Sequence, residues 1–274
     1  MPLLTLLYVP GDRPDRMVKA FASPADAVAV DLEDAVAAPR KTEARDHAAE
    51  LLKDVDRPAQ VRINHSSTPW HERDLAMIAA LPVAVGLRCP KVESADEVRD
   101  LAAAVPGRAL HLLVESALGV ERAFELASAA PEVASLGLGE ADLRSDLRVV
   151  DDAGLTWARS RIVTAARAAG LPSPMMSVYT QLHDDSGLVS SCRAGRALGF
   201  LGRAAIHPAQ LAPIREAFLP SADEVARARA VVEQVAAGER VGLGVFVLED
   251  GSFLDRAMVE QARTVLEVAQ AHRP

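Results

Sequence analysis

The sequence predicts a (β/α)8 TIM barrel followed by a C-terminal helical lid or arm. Three observations carry this prediction. Short apolar runs recur at intervals of about 24 to 42 residues, the spacing of βα units. Ala-rich amphipathic stretches fill the intervals, with their charges on one face. The runs are continuously apolar, as strands are when a parallel sheet is covered on both sides. The length agrees, since 274 residues fit one barrel of about 250 residues with little to spare. A doubly wound open sheet would share the local pattern, but eight units in about 210 residues favour closure.

The strand candidates follow in order. The first is 3–9 (LLTLLYV), running into Pro10-Gly11-Asp12-Arg13-Pro14. The second, 27–32, ends in Glu33 and Asp34. The third, 59–63, ends around Arg62 and Asn64, and the fourth, 83–89, ends in Pro90-Lys91. The fifth, 109–114, ends in Glu115, and the sixth, 133–138, precedes Gly139-Glu140-Ala141-Asp142. The seventh is 175–179, and the eighth is 204–206, ending in His207-Pro208. Helices are expected at 41–53, 94–104, 118–129 and 157–169. Ser94-Ala95-Asp96-Glu97 has a capping-box shape, and Gly170 stands where a helix should stop. After Pro220 the pattern changes. Residues 221–238 read as one helix opening on a second capping box, Ser221-Ala222-Asp223-Glu224. A Gly-rich extended stretch at 241–248, a turn at Glu249-Asp250-Gly251 and a helix at about 257–271 complete the chain. The expected division is a barrel over 1–220 and a lid or oligomerisation segment over 221–274. The latter, at roughly 50 residues, is small for a core of its own.

Composition narrows the class. Thirty basic and 38 acidic side chains leave a net charge of −8, with half the residues apolar and a quarter charged. Disorder, collagen-like structure and small disulfide scaffolds are excluded. Cys89 and Cys192 lie far apart in no CxxC pattern, which suggests a reducing compartment and a cytoplasmic location. Residues 3–9 are too short to span a membrane and carry no preceding positive charge, so neither a membrane span nor a signal peptide is expected. The acidic balance argues against nucleic acid but permits a local basic site for an anionic small molecule.

The charges fall where barrels keep their chemistry, at the C-terminal ends of strands. Arg13, Glu33 and Asp34, Arg62, Lys91, Glu115, Asp142 and His207 all stand there. Any one alone reads as a loop residue, cap or rim ion pair; together they would converge on one mouth. Glu115 and Asp142 suit Mg2+, which takes one or two protein carboxylates and keeps positions for water and substrate oxygens. They also suit salt bridges to Arg62 or Lys91. Arg62 suits a bidentate grip on a substrate carboxylate, or a structural pair with Glu33 or Asp34. Arg13, Arg16 and Lys19 form a basic cluster, either a solvated first helical turn or a phosphate contact. His71-Glu72-Arg73-Asp74-Leu75 lacks the second histidine of a zinc helix, and Gly137-Leu138-Gly139 lacks the third glycine of a dinucleotide fingerprint. There is no GxSxG elbow and no P-loop.

Six motifs then occur in one order: Tyr8-Val9-Pro10-Gly11-Asp12-Arg13-Pro14, Asp31-Leu32-Glu33-Asp34-Ala35-Val36, Val61-Arg62-Ile63-Asn64, Pro90-Lys91-Val92-Glu93, Val114-Glu115-Ser116 and Ala205-Ile206-His207-Pro208-Ala209-Gln210. Together they resemble the citrate lyase beta-subunit-like branch of the HpcH/HpaI aldolase superfamily, over nearly the whole chain. The resemblance implies a Mg2+-dependent carbon–carbon lyase that cleaves or forms hydroxyacyl thioesters, such as citryl-, malyl- or citramalyl-CoA, yielding acetyl-CoA and a 2-oxo acid. It implies metal carboxylates at Glu115 and Asp142 and a substrate arginine at Arg62, with Glu33 and Asp34 beside it. Substrate contacts at Arg62, Glu115, Gly139 and Ala141 are implied too, as are CoA phosphate contacts at Arg13, Arg16 and Lys19. Asp255, in Gly251-Ser252-Phe253-Leu254-Asp255, would reach a neighbouring subunit's site in a homo-oligomer, a trimer or hexamer. Ser116 stands where many relatives carry threonine, and Arg203 where lysine is common. A CoA-independent pyruvate-type aldolase, a citrate lyase beta subunit active only with acyl-carrier and transferase partners, and a hydrolase sharing the metal chemistry are the alternatives.

Overall fold

A computed structural model of the protein describes residues 2–239, 246–247, 253–254 and 256–272. By contact it divides into two compact units, Leu3–Ala217 and Phe218–Pro274 with Met1–Pro2.

The larger unit is an α/β fold in which strands and helices alternate. Its first half comprises β1 (Thr5–Pro10), α1 (Pro14–Phe21), β2 (Ala27–Asp31), α2 (Lys41–Leu52), β3 (Ala59–Arg62), α3 (His71–Ala80) and β4 (Val85–Cys89). It continues with α4 (Ala95–Ala104), β5 (Leu110–Val114), α5 (Ala117–Glu121), α6 (Ala123–Ala127), β6 (Val133–Leu138) and α7 (Glu140–Leu147). Then come α8 (Thr156–Ala168), α9 (Asp185–Ala197), β7 (Arg203–Ala205) and α10 (Leu211–Phe218). Seven strands form one parallel sheet in the order β6-β5-β4-β3-β2-β1-β7. Parallel neighbours need a crossover between them, which is why a helix follows almost every strand. The strands β2 and β4 are buried at every position, as the continuous apolar runs require. On one side of the sheet, Leu6, Ala27, Ala29 and Ala204 pack with Leu3, Tyr8, Met175 and Val178.

The helix signals act as read. Ser94 accepts a bond from the Glu97 N–H at 3.2 Å and caps α4. Gly170 stops the chain after α8 with a φ of +75°, a left-handed conformation that glycine adopts without strain. The stretch 118–129 differs: it forms two short helices that meet at Arg122, whose ψ of 8° breaks the helical run.

The expected strand at 175–179 is also different. Among the described residues it makes one isolated parallel bridge, Met176 with Arg203. The Met176 N–H donates to the Gly202 carbonyl, and the Ala204 N–H donates to the Met176 carbonyl. Pro172 and Pro174, just upstream, carry no N–H, which removes donors where a central strand would begin.

In the smaller unit, α11 (Ala222–Glu239) packs on α12 (Arg256–Ala271). Val235 and Val259 are buried between them, with Val231 and Met258 alongside. The capping box is complete. The Glu224 N–H donates to Ser221 Oγ at 3.1 Å, and the Ser221 N–H donates to Glu224 Oε2 at 2.7 Å. The two-residue strand β8 (Phe246–Val247) lies in the expected extended stretch and pairs antiparallel with β9 (Phe253–Leu254), which follows the expected turn. Asp255 lies outside the described residues. Among those described, no helix is long and apolar enough to cross a membrane. Cys89 and Cys192 are free thiols and buried.

Candidate active site

The strand ends meet at one lysine. Neighbouring strands stand about 4.8 Å apart, so the ends of β2 and β6, four places apart, would be about 19 Å apart in a flat sheet. Yet Lys91, just past β4, reaches both. Its Nζ lies 2.5 Å from Glu33 Oε1, which follows β2, and 3.0 Å from Asp142 Oδ2, which follows β6. It also lies 3.5 Å from Glu115 Oε2 and 3.7 Å from Asp34 Oδ2. The sheet therefore curls around a common mouth.

Arg62 is the second cation of the cluster. Its Nε donates to Asp31 Oδ1 at 2.8 Å and its Nη2 to Asp31 Oδ2 at 2.5 Å. Register dictates the pair, because Asp31 and Arg62 are directly aligned across β2 and β3. On its other edge, Nη1 lies 2.9 Å from Glu33 Oε2 and 3.5 Å from Asp34 Oδ2. The Tyr8 ring centre is 5.3 Å from the Arg62 guanidinium and 5.6 Å from that of Arg88. Asp31 is committed further, accepting from the N–H groups of Glu33 and Ala35. The loop after β2 is held from below as well: the buried Lys41 ammonium donates to the carbonyls of Leu32 and Glu33, both at 2.7 Å.

Glu115 is buried at the end of β5. Burial, then the neighbouring Glu33 charge, pushes its carboxyl up to about 8, against the pull of Lys91 and Arg62. Burial raises Glu33 as well, more than Arg62 and Lys91 lower it. Asp142, more open, is held below the usual range. There burial is outweighed by its bonds to Lys91 and Glu115. The same contacts, overcoming burial, hold the Lys91 ammonium firmly charged.

Gly139 makes room for this arrangement. A Cβ on Gly139 would come within 2.5 Å of the Glu115 Cγ and Oε1. Its own N–H is spent on the Val114 carbonyl. Ala141, in the first turn of α7, is exposed. Glu140 turns away, held by Arg159 through Nε at 2.8 Å and Nη2 at 2.7 Å.

The structure thus brings together Glu33, Asp34, Arg62, Glu115 and Asp142. Arg13 stands instead just before α1, paired with Asp15 at 3.3 Å, and Arg16 and Lys19 lie exposed along that helix. His207 is a cap, accepting from the Ala209 N–H. Asn64 is buried and donates to the Leu32 carbonyl and to Asp74. Two residues carry more of the site than their sequence context reveals: Asp31, the main partner of Arg62, and Lys91, the hub. A signal for the first existed, since strand 2 ends in an otherwise unexplained acid opposite the arginine that ends strand 3.

A cluster of acids and two cations at the C-terminal ends of a curled parallel sheet defines an α/β protein with a strongly charged mouth. Residues 4–208 match the family described as HpcH/HpaI aldolase/citrate lyase, and the chain belongs to it. It is 36% identical to a (3S)-malyl-CoA thioesterase of Cereibacter sphaeroides, over 98% of this chain and 95% of the relative. It is 32% identical to the citrate lyase subunit beta of Leuconostoc mesenteroides, over 98% and 93%. Its fold is similar to the crystal structure of the protein CitE from Mycobacterium tuberculosis in complex with magnesium, acetoacetate and coenzyme A. That match has a TM-score of 0.84 at 34% identity and covers 98% of each chain.

Proposed function

We propose that the protein is a Mg2+-dependent carbon–carbon lyase acting on a hydroxyacyl-CoA thioester, with acetyl-CoA and a 2-oxo acid as the other side of the reaction. The observation that carries this reading is the adjacency of Glu115 and Asp142 beside Arg62. The donor set fits magnesium: two carboxylates, all oxygen, with the remaining positions left to water and substrate. The elevated Glu115 carboxyl is the mark of a buried acid short of positive charge. A bound Mg2+ would supply a Lewis acid and a template for the oxygens of the oxo acid.

The chain's own residues do the rest. Asp31 grips the Nε–Nη2 edge of Arg62 and fixes its plane. The Nη1–Nη2 edge is then the one that takes the substrate carboxylate, by a bidentate contact. Glu33 and Asp34 hold that edge in place until substrate arrives. The N–H groups of Ala141 and Asp142, in the first turn of α7, have no acceptor within the helix and suit a carboxylate oxygen. Gly139 contributes space rather than a donor. Arg13, Arg16 and Lys19 meet the CoA phosphates. Asp255 of a neighbouring subunit carries the proton to and from the acetyl methyl, in a homotrimer or hexamer whose segment 221–274 serves as the lid. In this reading the stretch 175–179 completes an eight-stranded barrel over 1–220. The two buried free thiols suit a cytoplasmic enzyme.

The test is a panel of citryl-, malyl- and citramalyl-CoA assayed with and without Mg2+. Metal-dependent release of acetyl-CoA plus a 2-oxo acid supports the reading; its absence for every thioester overturns it. A second reading, thioester hydrolysis, is favoured by the naming of a 36%-identical relative as a malyl-CoA thioesterase. The same panel separates the two, because hydrolysis releases free CoA.

A further inference from the structure

Lys91 has two unusual properties that the proposed chemistry leaves unused. Its backbone is left-handed, with a φ of +55°. Only one other described non-glycine residue shares that feature. L-residues other than asparagine and aspartate rarely adopt such a conformation, and it persists where the surroundings demand it. Its side chain is one-third exposed and sits among four carboxylates from three different strand ends. An ordinary surface lysine would make one such contact and lose little by moving. Here the local backbone is bent into a disfavoured state, and the ammonium is delivered to the Glu115 and Asp142 pair.

We propose that Lys91 is a built-in counter-ion for the divalent-cation site, which the incoming metal must displace from Glu115 and Asp142. The inference rests on the reading of those two carboxylates as the metal-holding pair. Ionised together, as a metal-holding pair must be, Glu115 and Asp142 would repel each other and the nearby Glu33. The ammonium removes that penalty and holds the two side chains together. An ammonium and a divalent ion compete for the same oxygens. Lys91 has a place to go: its shortest contact, 2.5 Å, is to Glu33 Oε1, outside the pair. Metal entry therefore shifts Lys91 fully onto Glu33. Because Glu33 also lies 2.9 Å from Arg62, the same movement weakens Glu33's hold on the Arg62 edge that faces substrate. Metal occupancy and anion binding are coupled through one lysine.

Binding of Mn2+ to the full-length protein, followed by electron paramagnetic resonance without substrate, tests this directly. Lys91→Gly removes the ammonium and suits the left-handed backbone, so folding is spared. It is expected to bind Mn2+ about tenfold more tightly than the native protein, the effect of losing one competing charge. Lys91→Arg, which keeps the charge, should stay close to the native affinity. Equal or weaker binding by Lys91→Gly overturns the counter-ion role while leaving the metal pair in place. If the native protein and both variants fail to bind Mn2+, the metal reading itself falls, and the inference with it.

Discussion

Asp31 and Arg62 stand opposite each other in register on adjacent parallel strands and are joined at two points, at 2.8 and 2.5 Å. Both Asp31 oxygens also accept backbone N–H groups, so the aspartate cannot turn without opening the loop that carries Glu33 and Asp34. A fork held at two points presents its remaining edge in one orientation, which a single-point contact would not ensure.

Asp31→Asn should therefore do two things. It breaks one side of a largely buried ion pair, with an expected loss of about 3 kcal/mol of stability. It also frees the Arg62 plane, raising KM for the oxo acid more than it lowers kcat. Urea unfolding and steady-state kinetics read these separately. An unaltered KM would show that the aspartate matters only for folding.

Asp142→Ala removes a half-exposed member of the carboxylate pair, so the fold should survive with a stability change within about 1 kcal/mol. Mg2+ binding by calorimetry should be lost, together with metal-dependent turnover. Retention of native Mg2+ affinity in a variant with a native circular dichroism spectrum would rule out the assignment.

Gly139→Ala adds one methyl group where Glu115 stands. The expected cost is about 1–3 kcal/mol from forced displacement of a packed neighbour. The sharper signature is weakened Mg2+ binding in a protein whose far-ultraviolet spectrum is unchanged. Unimpaired metal binding would mean that Glu115 has somewhere else to go.

His111 gives a pH test inside the sheet. It bonds Ser135 Oγ through Nδ1 at 2.8 Å, and a Cβ on Gly86 would fall 2.7 Å from its Nε2. Burial, and then the nearby Arg88 charge, drives the imidazole down to about 3. The unfolded chain takes up this proton near pH 6.5, whereas the folded chain resists down to about 3. Stability supplied by the neutral ring is thus complete above pH 6.5 and lost as pH falls from there toward 3. Glu115, raised when folded, acts with the opposite sign between about 4.5 and 8. The comparison to make is native minus His111→Gln by urea unfolding at pH 7 and pH 5. The native protein should lose more stability than the variant; equal losses would show that the ring titrates normally.

Much of this was legible in the sequence because burial writes itself into composition. Strands covered on both faces must be apolar throughout, so 27–32 and 83–89 announced themselves. Their polar terminal residues stood out against that background, which is how Glu33, Arg62, Glu115 and Asp142 could be gathered before any geometry was known. The stretch 175–179 is apolar too, but apolar character does not create donors, and the prolines before it left one bridge in place of a ladder. The split of 118–129 at Arg122 is a backbone event with no breaker residue to signal it. Asp31 was hidden by position, since a strand's last residue reads as its end until the neighbour's register is known. Lys91 was legible as a strand-end charge and a salt-bridge partner of Glu115 or Asp142, but its place as the hub was not: its partners lie 58 and 57 residues upstream and 24 and 51 downstream in the chain, and no local pattern links all four.

The missing side chain at Gly139 ties that position to Glu115, 24 residues earlier in the chain. While Glu115 holds its place, no larger residue can stand at 139; once Glu115 is gone, nothing requires a glycine there. A chain of this family with a bulky residue at that position should have surrendered the acid as well. Reading that one letter would then separate working members from retired ones without measuring either.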